Sequence, residues 1–238
     1  MAMDFLAKPA HRLAQLYSKL MPIPCRLCGT ACQHHPLCDN CIADLPKLSH
    51  ACPRCAMPLS TSKVCGHCLN HPPEQQRSFS LFTYKTPIDR LIIDFKFHDK
   101  LYLSHFFAEK MAEQLRLSPL PELLIPIPLH PNRLRQRGYN QSLELTKDLS
   151  KQLNIPISNN ILSRIIDTQS QSTIPFKQRK QNIQNAFQLL QEKPPKHIAL
   201  IDDVLTTGHT ANAAAKLLRK AGATTIEVWT IARTIGHD

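Results

Sequence analysis

The chain has 238 residues, of which 42% are hydrophobic and 20% are charged, and this composition excludes an intrinsically disordered protein. It contains no run of about 18 apolar residues, so no membrane-spanning helix is expected, and the segment before Cys25 lacks the features of a signal peptide. A formal net charge of +11 favours a polyanionic ligand, with solubility as the alternative explanation. We therefore expect a cytoplasmic protein whose cysteines are reduced.

The first predicted element is an amphipathic helix within residues 5–20. Leu6, Leu13 and Leu20 share one face of this segment, and its lysines and arginine lie elsewhere. We expect this helix to dock on the protein's own core, with a membrane surface or a partner protein as alternatives.

An internal repeat of paired cysteines follows. Two Cys-x2-Cys pairs separated by nine residues recur 27 residues further along the chain. Two such pairs supply the four thiolates of a closed, tetrahedral zinc site, which leaves no position for a reacting water and is therefore structural. The predicted sites are Cys25, Cys28, Cys38 and Cys41, and Cys52, Cys55, Cys65 and Cys68. Cys32 has no counterpart in the second copy and is predicted to be a spare thiol, with His34, His35 and His67 as substitute ligands.

The remaining chain alternates between apolar strands and helices. Strands are predicted at 78–84, 123–128, 197–202 and 225–232, and helices at 87–98, 102–117, 140–153 and 210–221. Such alternation predicts an α/β fold with a mostly parallel, doubly wound sheet. The chain is thus predicted to comprise a helical segment 1–23, a double zinc ribbon 24–71 and an α/β domain 72–238, with Pro72 and Pro73 in a short linker.

One strand of this domain ends in a motif suited to a ribose 5-phosphate. Asp202 and Asp203 stand at the carboxyl end of the apolar run 198–201, where open α/β sheets bind ligands. The turn into the next helix offers backbone N–H groups and hydroxyls for a phosphate, from Thr206, Thr207, Gly208, His209 and Thr210. The two aspartates are predicted to bind ribose hydroxyls, either directly or through Mg²⁺. An ordinary threonine-capped turn is the alternative, but adjacent carboxylates there are costly without a partner.

At these residues the sequence resembles the type I phosphoribosyltransferases, whose signature is a strand, two acidic residues and a Thr-Gly loop. The resemblance implies phosphoribosyl pyrophosphate with Mg²⁺ as the ligand.

A second predicted anion site follows the strand at 123–128. Arg133, Arg135 and Arg137 stand within five residues beside Gly138, in a segment predicted to be a loop. One guanidinium group can donate to two pyrophosphate oxygens at once, so these arginines are predicted to face the pyrophosphate. The alternative is a solvated basic loop.

The run Ile-Pro-Ile-Pro at 125–128, followed by Arg-x-Arg-x-Arg-Gly-Tyr-Asn-Gln at 133–141, resembles the ComF (ComFC, GntX-like) family of competence proteins. The resemblance implies a cysteine module joined to a type I phosphoribosyltransferase domain at 72–238. It also implies a cytoplasmic protein, with the inner face of the inner membrane as a further location, that supports natural transformation with a helicase-like partner. By analogy with the fold, 164–177 would be a flexible loop flanked by the anion contacts Arg164 and Arg179.

Whether the domain catalyses a reaction is left open by its residues. Thr206 occupies the loop position at which hypoxanthine-guanine phosphoribosyltransferases carry an aspartate, so we assign no catalytic residue. The first hypothesis is a protein that binds phosphoribosyl pyrophosphate and single-stranded DNA, the latter through Arg133, Arg135, Lys177 and Lys180. The alternatives are a transferase acting on an unidentified small acceptor, and an adaptor whose zinc ribbons dock a competence helicase complex.

Overall fold

The computed structural model describes residues 23–33, 35–97, 100–167, 185–190 and 193–236. The predicted helix within 5–20, His34, Lys177, Arg179 and Lys180 lie outside the described residues. The chain divides into two compact units, Met1–Leu45 and Pro46–Asp238, so the second cysteine group belongs to the same unit as the sheet. The predicted module boundaries at 23/24 and 71/72 stay predictions based on sequence pattern.

The described part of the first unit is built around a small β-ribbon. Strands β1 (Ile23–Pro24) and β2 (Ala31–Cys32) pair antiparallel, and helix α1 (Asp39–Ala43) follows them. Gly29 turns the chain between the strands with a φ of +79°, a conformation that favours glycine. The turn is closed by the backbone N–H of Cys25, which donates to the carbonyl of Thr30 at 2.8 Å.

The second unit contains a four-stranded, fully parallel sheet. Its strands in chain order are β3 (Arg77–Thr83), β4 (Leu123–Pro126), β7 (His197–Leu205) and β8 (Thr225–Arg233). Their order in space is β3-β8-β7-β4, so β7 and β8 lie at the centre. Both central strands are nearly continuous apolar runs, as expected of strands covered on both faces. A separate antiparallel ribbon pairs β5 (Leu162–Arg164) with β6 (Phe187–Leu189).

Helices cover both faces of the sheet. In chain order they are α2 (Gly66–Asn70), α3 (Ile88–Phe97), α4 (Tyr102–Leu115), α5 (Pro131–Arg137), α6 (Gln141–Leu153) and α7 (His209–Lys220). Helix α7 buries alanines against Ile198 and Leu200 of β7. Alternate residues of that strand point to the opposite face, where α6 contacts β7 and β4 and α4 packs on α6.

The predicted α/β fold with a parallel, doubly wound sheet is confirmed, with one local correction. The segment around Arg133–Arg137 was expected to be a loop, but it forms helix α5. Pro131 begins this helix at a position that needs no backbone N–H, and Gly138 ends it with a φ of +79°. Strand β7 also extends to Leu205 rather than ending at residue 202, so both aspartates lie within it.

Candidate functional site

The two predicted aspartates lie at the carboxyl edge of the sheet and are held by side chains from other elements. Asp203 is buried, with 5% of its surface exposed, and its carboxylate accepts a hydrogen bond from the Nε2 of Gln141 at 3.1 Å. The Nζ of Lys96 lies 2.8 Å from the same carboxylate oxygen, Oδ2. Asp202 is half-buried, and its Oδ1 accepts from the hydroxyl of Ser142 and from the backbone N–H of Asp203, each at 2.9 Å.

These surroundings shift the pKa of Asp202. Burial and the neighbouring charge of Asp203 raise the pKa of Asp202 from 3.8 to about 7. The hydroxyl of Ser142, the N–H of Asp203 and the charge of Lys96 oppose this rise. Asp202 therefore keeps its proton to a higher pH than an exposed aspartate does.

Helix α5 brings two of the three predicted arginines to the same place. Arg133 and Arg137 are four residues apart, which places them on one face of the helix, and both line a cavity of about 170 Å³ together with Asp202 and Asp203. Arg135 is exposed and does not line this cavity, and its Nη2 donates to the Oδ1 of Asn132 at 2.5 Å.

Arg164, predicted from the fold analogy, also lines the 170 Å³ cavity. It ends strand β5, and its guanidinium lies 5.6 Å from the ring centroid of Phe187. Burial lowers the pKa of Arg164, while the charges of Asp202 and Asp167 raise it. Asp167, three residues after the end of β5, accepts from the Nε of Arg133 at 3.3 Å and so connects this segment to α5 at the cavity. The remaining predicted arginine, Arg179, is outside the described residues.

The predicted phosphate loop faces two cavities. Thr206 and Thr210 line the 170 Å³ cavity with the aspartates and arginines. Thr207, Gly208 and His209 instead line a second cavity of about 320 Å³, which also borders the second cysteine group. Gly208 adopts a φ of +79° at the start of α7, so the tight turn depends on the conformational freedom of glycine.

Five polar or charged lining residues were not predicted as site residues: Lys96, His130, Gln141, Ser142 and Asp167. Lys96 lies in the last turn of α3, close to a contact in which the hydroxyl of Tyr139 donates to the carbonyl of Phe95. In the sequence, Lys96 and Gln141 could have been found as site residues only through the motifs Phe95-Lys96-Phe97 and Tyr139-Asn140-Gln141. Their role depends on contacts between distant segments, such as those of Lys96 and Gln141 with Asp203, which no local pattern encodes.

Each predicted cysteine group fits one tetrahedral zinc ion. The four Sγ atoms of each group lie within 4.8 Å of one another. Bonds of about 2.3 Å in a tetrahedron place sulfur atoms about 3.8 Å apart, and the Sγ atoms of Cys28 and Cys38 are 3.6 Å apart and those of Cys55 and Cys65 are 3.7 Å apart. Cys32 is buried and belongs to neither group, and its Sγ donates to the carbonyl of Thr30.

Both groups also show the hydrogen bonds that stabilise thiolates. The N–H of Cys38 donates to the Sγ of Cys25, and the equivalent N–H of Cys65 donates to the Sγ of Cys52, each at 3.4 Å. Burial raises the pKa of Cys52, but backbone N–H groups, chiefly those of Cys65 and Cys55, outweigh burial and lower that pKa to about 7. The described residues His35 and His67 are in neither group.

Comparisons with known proteins agree with this architecture. Residues 16–69 match the family model of the double zinc ribbon domain, and residues 140–236 match that of the phosphoribosyl transferase domain. Competence protein F of Haemophilus influenzae is 37% identical over 207 residues, which cover 83% of this chain and 90% of that protein. The chain belongs to the ComF family of competence proteins.

Other members of the ComF family are more distant. The DNA utilization protein YhgH of Salmonella typhi is 31% identical over 90% of this chain and 99% of its own length. Competence protein ComFC of Streptococcus pneumoniae is 26% identical over 83% of this chain and 87% of its own length. The ComF-type chain described here thus joins a double zinc ribbon to a type I phosphoribosyltransferase fold. None of the helices in its described residues has the length and apolarity needed to cross a membrane.

Proposed function

We propose that the 170 Å³ cavity binds phosphoribosyl pyrophosphate with Mg²⁺. The observation that carries this proposal is the convergence of two adjacent carboxylates, three guanidinium groups and two threonines of the phosphate loop around one cavity. Phosphate oxygens are bound by arginines and by the start of a helix, whereas ribose hydroxyls and Mg²⁺ are bound by carboxylates.

Each part of the ligand has a partner in this arrangement. Arg133 and Arg137 on α5, with Arg164 on β5, face the pyrophosphate. Thr206 and Thr210, the two loop residues that line this cavity, receive the 5-phosphate at the start of α7. Asp202 and Asp203 receive the ribose hydroxyls or Mg²⁺, for which their oxygen donors are the preferred type. When bound, Mg²⁺ would neutralise pyrophosphate charge.

The proposal is tested by calorimetric titration of phosphoribosyl pyrophosphate with Mg²⁺. Wild type is expected to give a saturable signal, and Asp202→Asn/Asp203→Asn is expected to abolish it because both charges are lost. The matched control is Asp39→Asn/Asp44→Asn, which removes two exposed carboxylates of α1 and its C-cap and should bind as wild type does. A wild-type protein without signal, or a double mutant with unchanged affinity, would reject the proposal.

We further propose that the protein handles single-stranded DNA during DNA uptake, as the names of its relatives, competence protein F and DNA utilization protein, suggest. The net charge of +11 supports binding to a polyanion. Beside the cavity, Phe97 is 57% exposed and the guanidinium of Arg137 lies 4.7 Å from its ring centroid, an arrangement on which a base can stack.

DNA binding is tested by fluorescence anisotropy with a labelled oligonucleotide. The dissociation constant is expected to rise steeply with salt, and Arg135→Gln, at an exposed arginine outside the cavity, should reduce the salt slope. Phe97→Ala should weaken binding at every salt concentration, with Leu117→Ala, an 83% exposed apolar side chain, as the control. An affinity that does not change with salt would contradict the proposal.

A transferase is the second candidate, because the cavity supplies arginines for a pyrophosphate leaving group. It predicts pyrophosphate release when the correct acceptor is added, and no release across a broad acceptor panel would reject it.

We place the protein in the cytoplasm, at the inner face of the inner membrane when it works with a helicase-like partner. If Asp202→Asn/Asp203→Asn left transformation intact, an adaptor role of the zinc ribbons would replace the ligand-binding proposal.

A further inference from the structure

The buried side chain of Arg233 links the second cysteine group to the phosphate loop. Arg233 is the last residue of β8 and lies in register with Leu205, the last residue of β7. Only 1% of its surface is exposed, so its guanidinium is enclosed at the carboxyl edge of the sheet, between the loop that begins at Thr206 and the knuckle that contains Cys55.

The hydrogen bonds of this guanidinium reach both elements. Its Nε donates to the carbonyl of Cys55 at 2.9 Å. Its Nη1 donates to the carbonyls of Leu205 at 3.1 Å and Thr206 at 2.5 Å, and to the carbonyl of Thr234 at 2.8 Å. One side chain therefore fixes backbone carbonyls of the cysteine knuckle and of the phosphate loop at the same time.

Fixing these carbonyls also orients the groups that receive a phosphate. In a trans peptide the C=O and the following N–H point in opposite directions. When Arg233 holds the carbonyls of Leu205 and Thr206, the N–H groups of Thr206 and Thr207 are directed away from it. The loop then presents backbone donors in a set orientation, as an anion site at the start of a helix requires.

The charge of Arg233 has its natural partner in the second cysteine group. Within the part of the chain that the structure describes, no carboxylate forms an ion pair with this guanidinium. A buried guanidinium bonded only to neutral carbonyl and hydroxyl oxygens is costly. Four thiolates around one Zn²⁺ carry a net charge of about −2, and this charge lies on the same knuckle that Arg233 contacts.

We infer that Arg233 is a positioning residue through which the second cysteine group, when it holds zinc, fixes the phosphate loop in the conformation that binds a 5-phosphate. The second zinc ribbon is then part of the ligand site, whereas the first ribbon is not needed for it. The inference rests on the proposed function for the identity of the ligand, but the link between knuckle and loop does not depend on any ligand.

The test compares Cys55→Ser with Cys28→Ser, the equivalent ligand in the first copy of the repeat. Hydrogen–deuterium exchange of the segment 202–212 is measured without ligand, together with zinc content. Each variant should lose one zinc ion. Cys55→Ser should exchange at least about tenfold faster in 202–212, whereas Cys28→Ser should match wild type there. Equal exchange in the two variants would overturn the inference.

Arg233 itself is tested with Arg233→Met and Arg233→Lys. Arg233→Met should keep both zinc ions, exchange faster in 202–212 and bind ribose 5-phosphate about tenfold or more weakly. Arg233→Lys keeps the charge and one donor group, so it should restore part of the protection of 202–212 against hydrogen exchange. If Arg233→Met does not fold, Arg233→Lys is the variant that tests the inference. Wild-type exchange in either folded variant would overturn the inference. Absence of ribose 5-phosphate binding by wild type would reject the proposed function alone.

Discussion

Replacing Asp202 with asparagine should stabilise the protein above neutral pH, although it removes a carboxylate that we propose to bind ligand. In the folded state the pKa of Asp202 is raised from 3.8 to about 7, so the folded state holds the proton more tightly than the unfolded state. The contribution of this group to stability is therefore greatest below pH 4, falls as the pH rises to 7 and is constant above that. One pKa unit corresponds to about 1.4 kcal/mol, so the raised pKa of Asp202 lowers the free energy of unfolding by about 4 kcal/mol at pH 8 and by about 2 kcal/mol at pH 5.

The asparagine should recover this cost without losing the local hydrogen bonds. Its side-chain carbonyl can still accept from the hydroxyl of Ser142 and from the N–H of Asp203. Urea unfolding of the zinc-loaded protein, measured without Mg²⁺, should thus show Asp202→Asn to be more stable than wild type, with a gain at pH 8 that exceeds the gain at pH 5 by about 2 kcal/mol.

The neighbouring variant Asp203→Asn provides a control with the opposite sign. It removes the partner of Lys96, whose Nζ lies 2.8 Å from the carboxylate and whose side chain is 21% exposed. Losing the carboxylate nearest to that ammonium should outweigh the relief that Asp202 gains from the loss of a neighbouring charge, and should destabilise the fold by about 1 to 3 kcal/mol at pH 8. Equal stability of Asp202→Asn at the two pH values, or stabilisation by both variants, would refute the charge assignment.

Three further outcomes test the site. Arg137→Gln should weaken phosphoribosyl pyrophosphate binding about tenfold or more in calorimetry, whereas Arg135→Gln should not, and equal losses would contradict the placement of these side chains. Lys96→Met should raise the pKa of Asp202 further, because it removes a positive charge near this carboxylate. Binding of phosphoribosyl pyrophosphate with Mg²⁺ should then reach its plateau at a more alkaline pH. Lys220→Met, at the far end of α7, is the control and should leave this pH unchanged. Denaturation in the presence of a chromogenic chelator should release two zinc ions per chain, and a chain with fewer would not support two filled ribbons.

The parts of the molecule that sequence patterns predicted are those with a local cause. The two cysteine groups follow from a repeated spacing, because a tetrahedral ion requires four thiolates on two knuckles. The strand at 198–201 and its aspartates follow from an apolar run that ends in charge, since buried parallel strands are apolar and ligands bind at their carboxyl ends.

The segment that contains Arg133, Arg135 and Arg137 carries signals for a helix, but it was predicted to be a loop. Pro131 and Gly138 mark the two ends of a short helix, and the helical period would have placed Arg133 and Arg137 on one face and Arg135 on another. Interpreting the segment as a loop placed all three arginines at the pyrophosphate. Local backbone conformation thus decides which charges reach the cavity.

Contacts between distant segments had no local signal. The ion pair of Lys96 with Asp203 depends on the packing of α3 against the sheet. The composition around Pro72 and Pro73 suggests a linker, yet the N–H of Glu74 donates to the Oδ1 of Asn212 and that of Gln76 to the carbonyl of Ile226. These bonds join the chain after the second cysteine group to α7 and β8, so this group lies within the same compact unit as the sheet.

The described lining of the 170 Å³ cavity suits the phosphoribosyl donor better than it suits an acceptor. Its charged groups are arginines and a lysine opposite three carboxylates, and Lys96–Asp203 and Arg133–Asp167 are already paired. Arg137 and Arg164 line the same cavity beside Asp202, and the one aromatic ring among the described lining residues is the imidazole of His130. Because Thr206 also carries no carboxylate to assist a purine, the geometry favours binding of the donor over purine salvage.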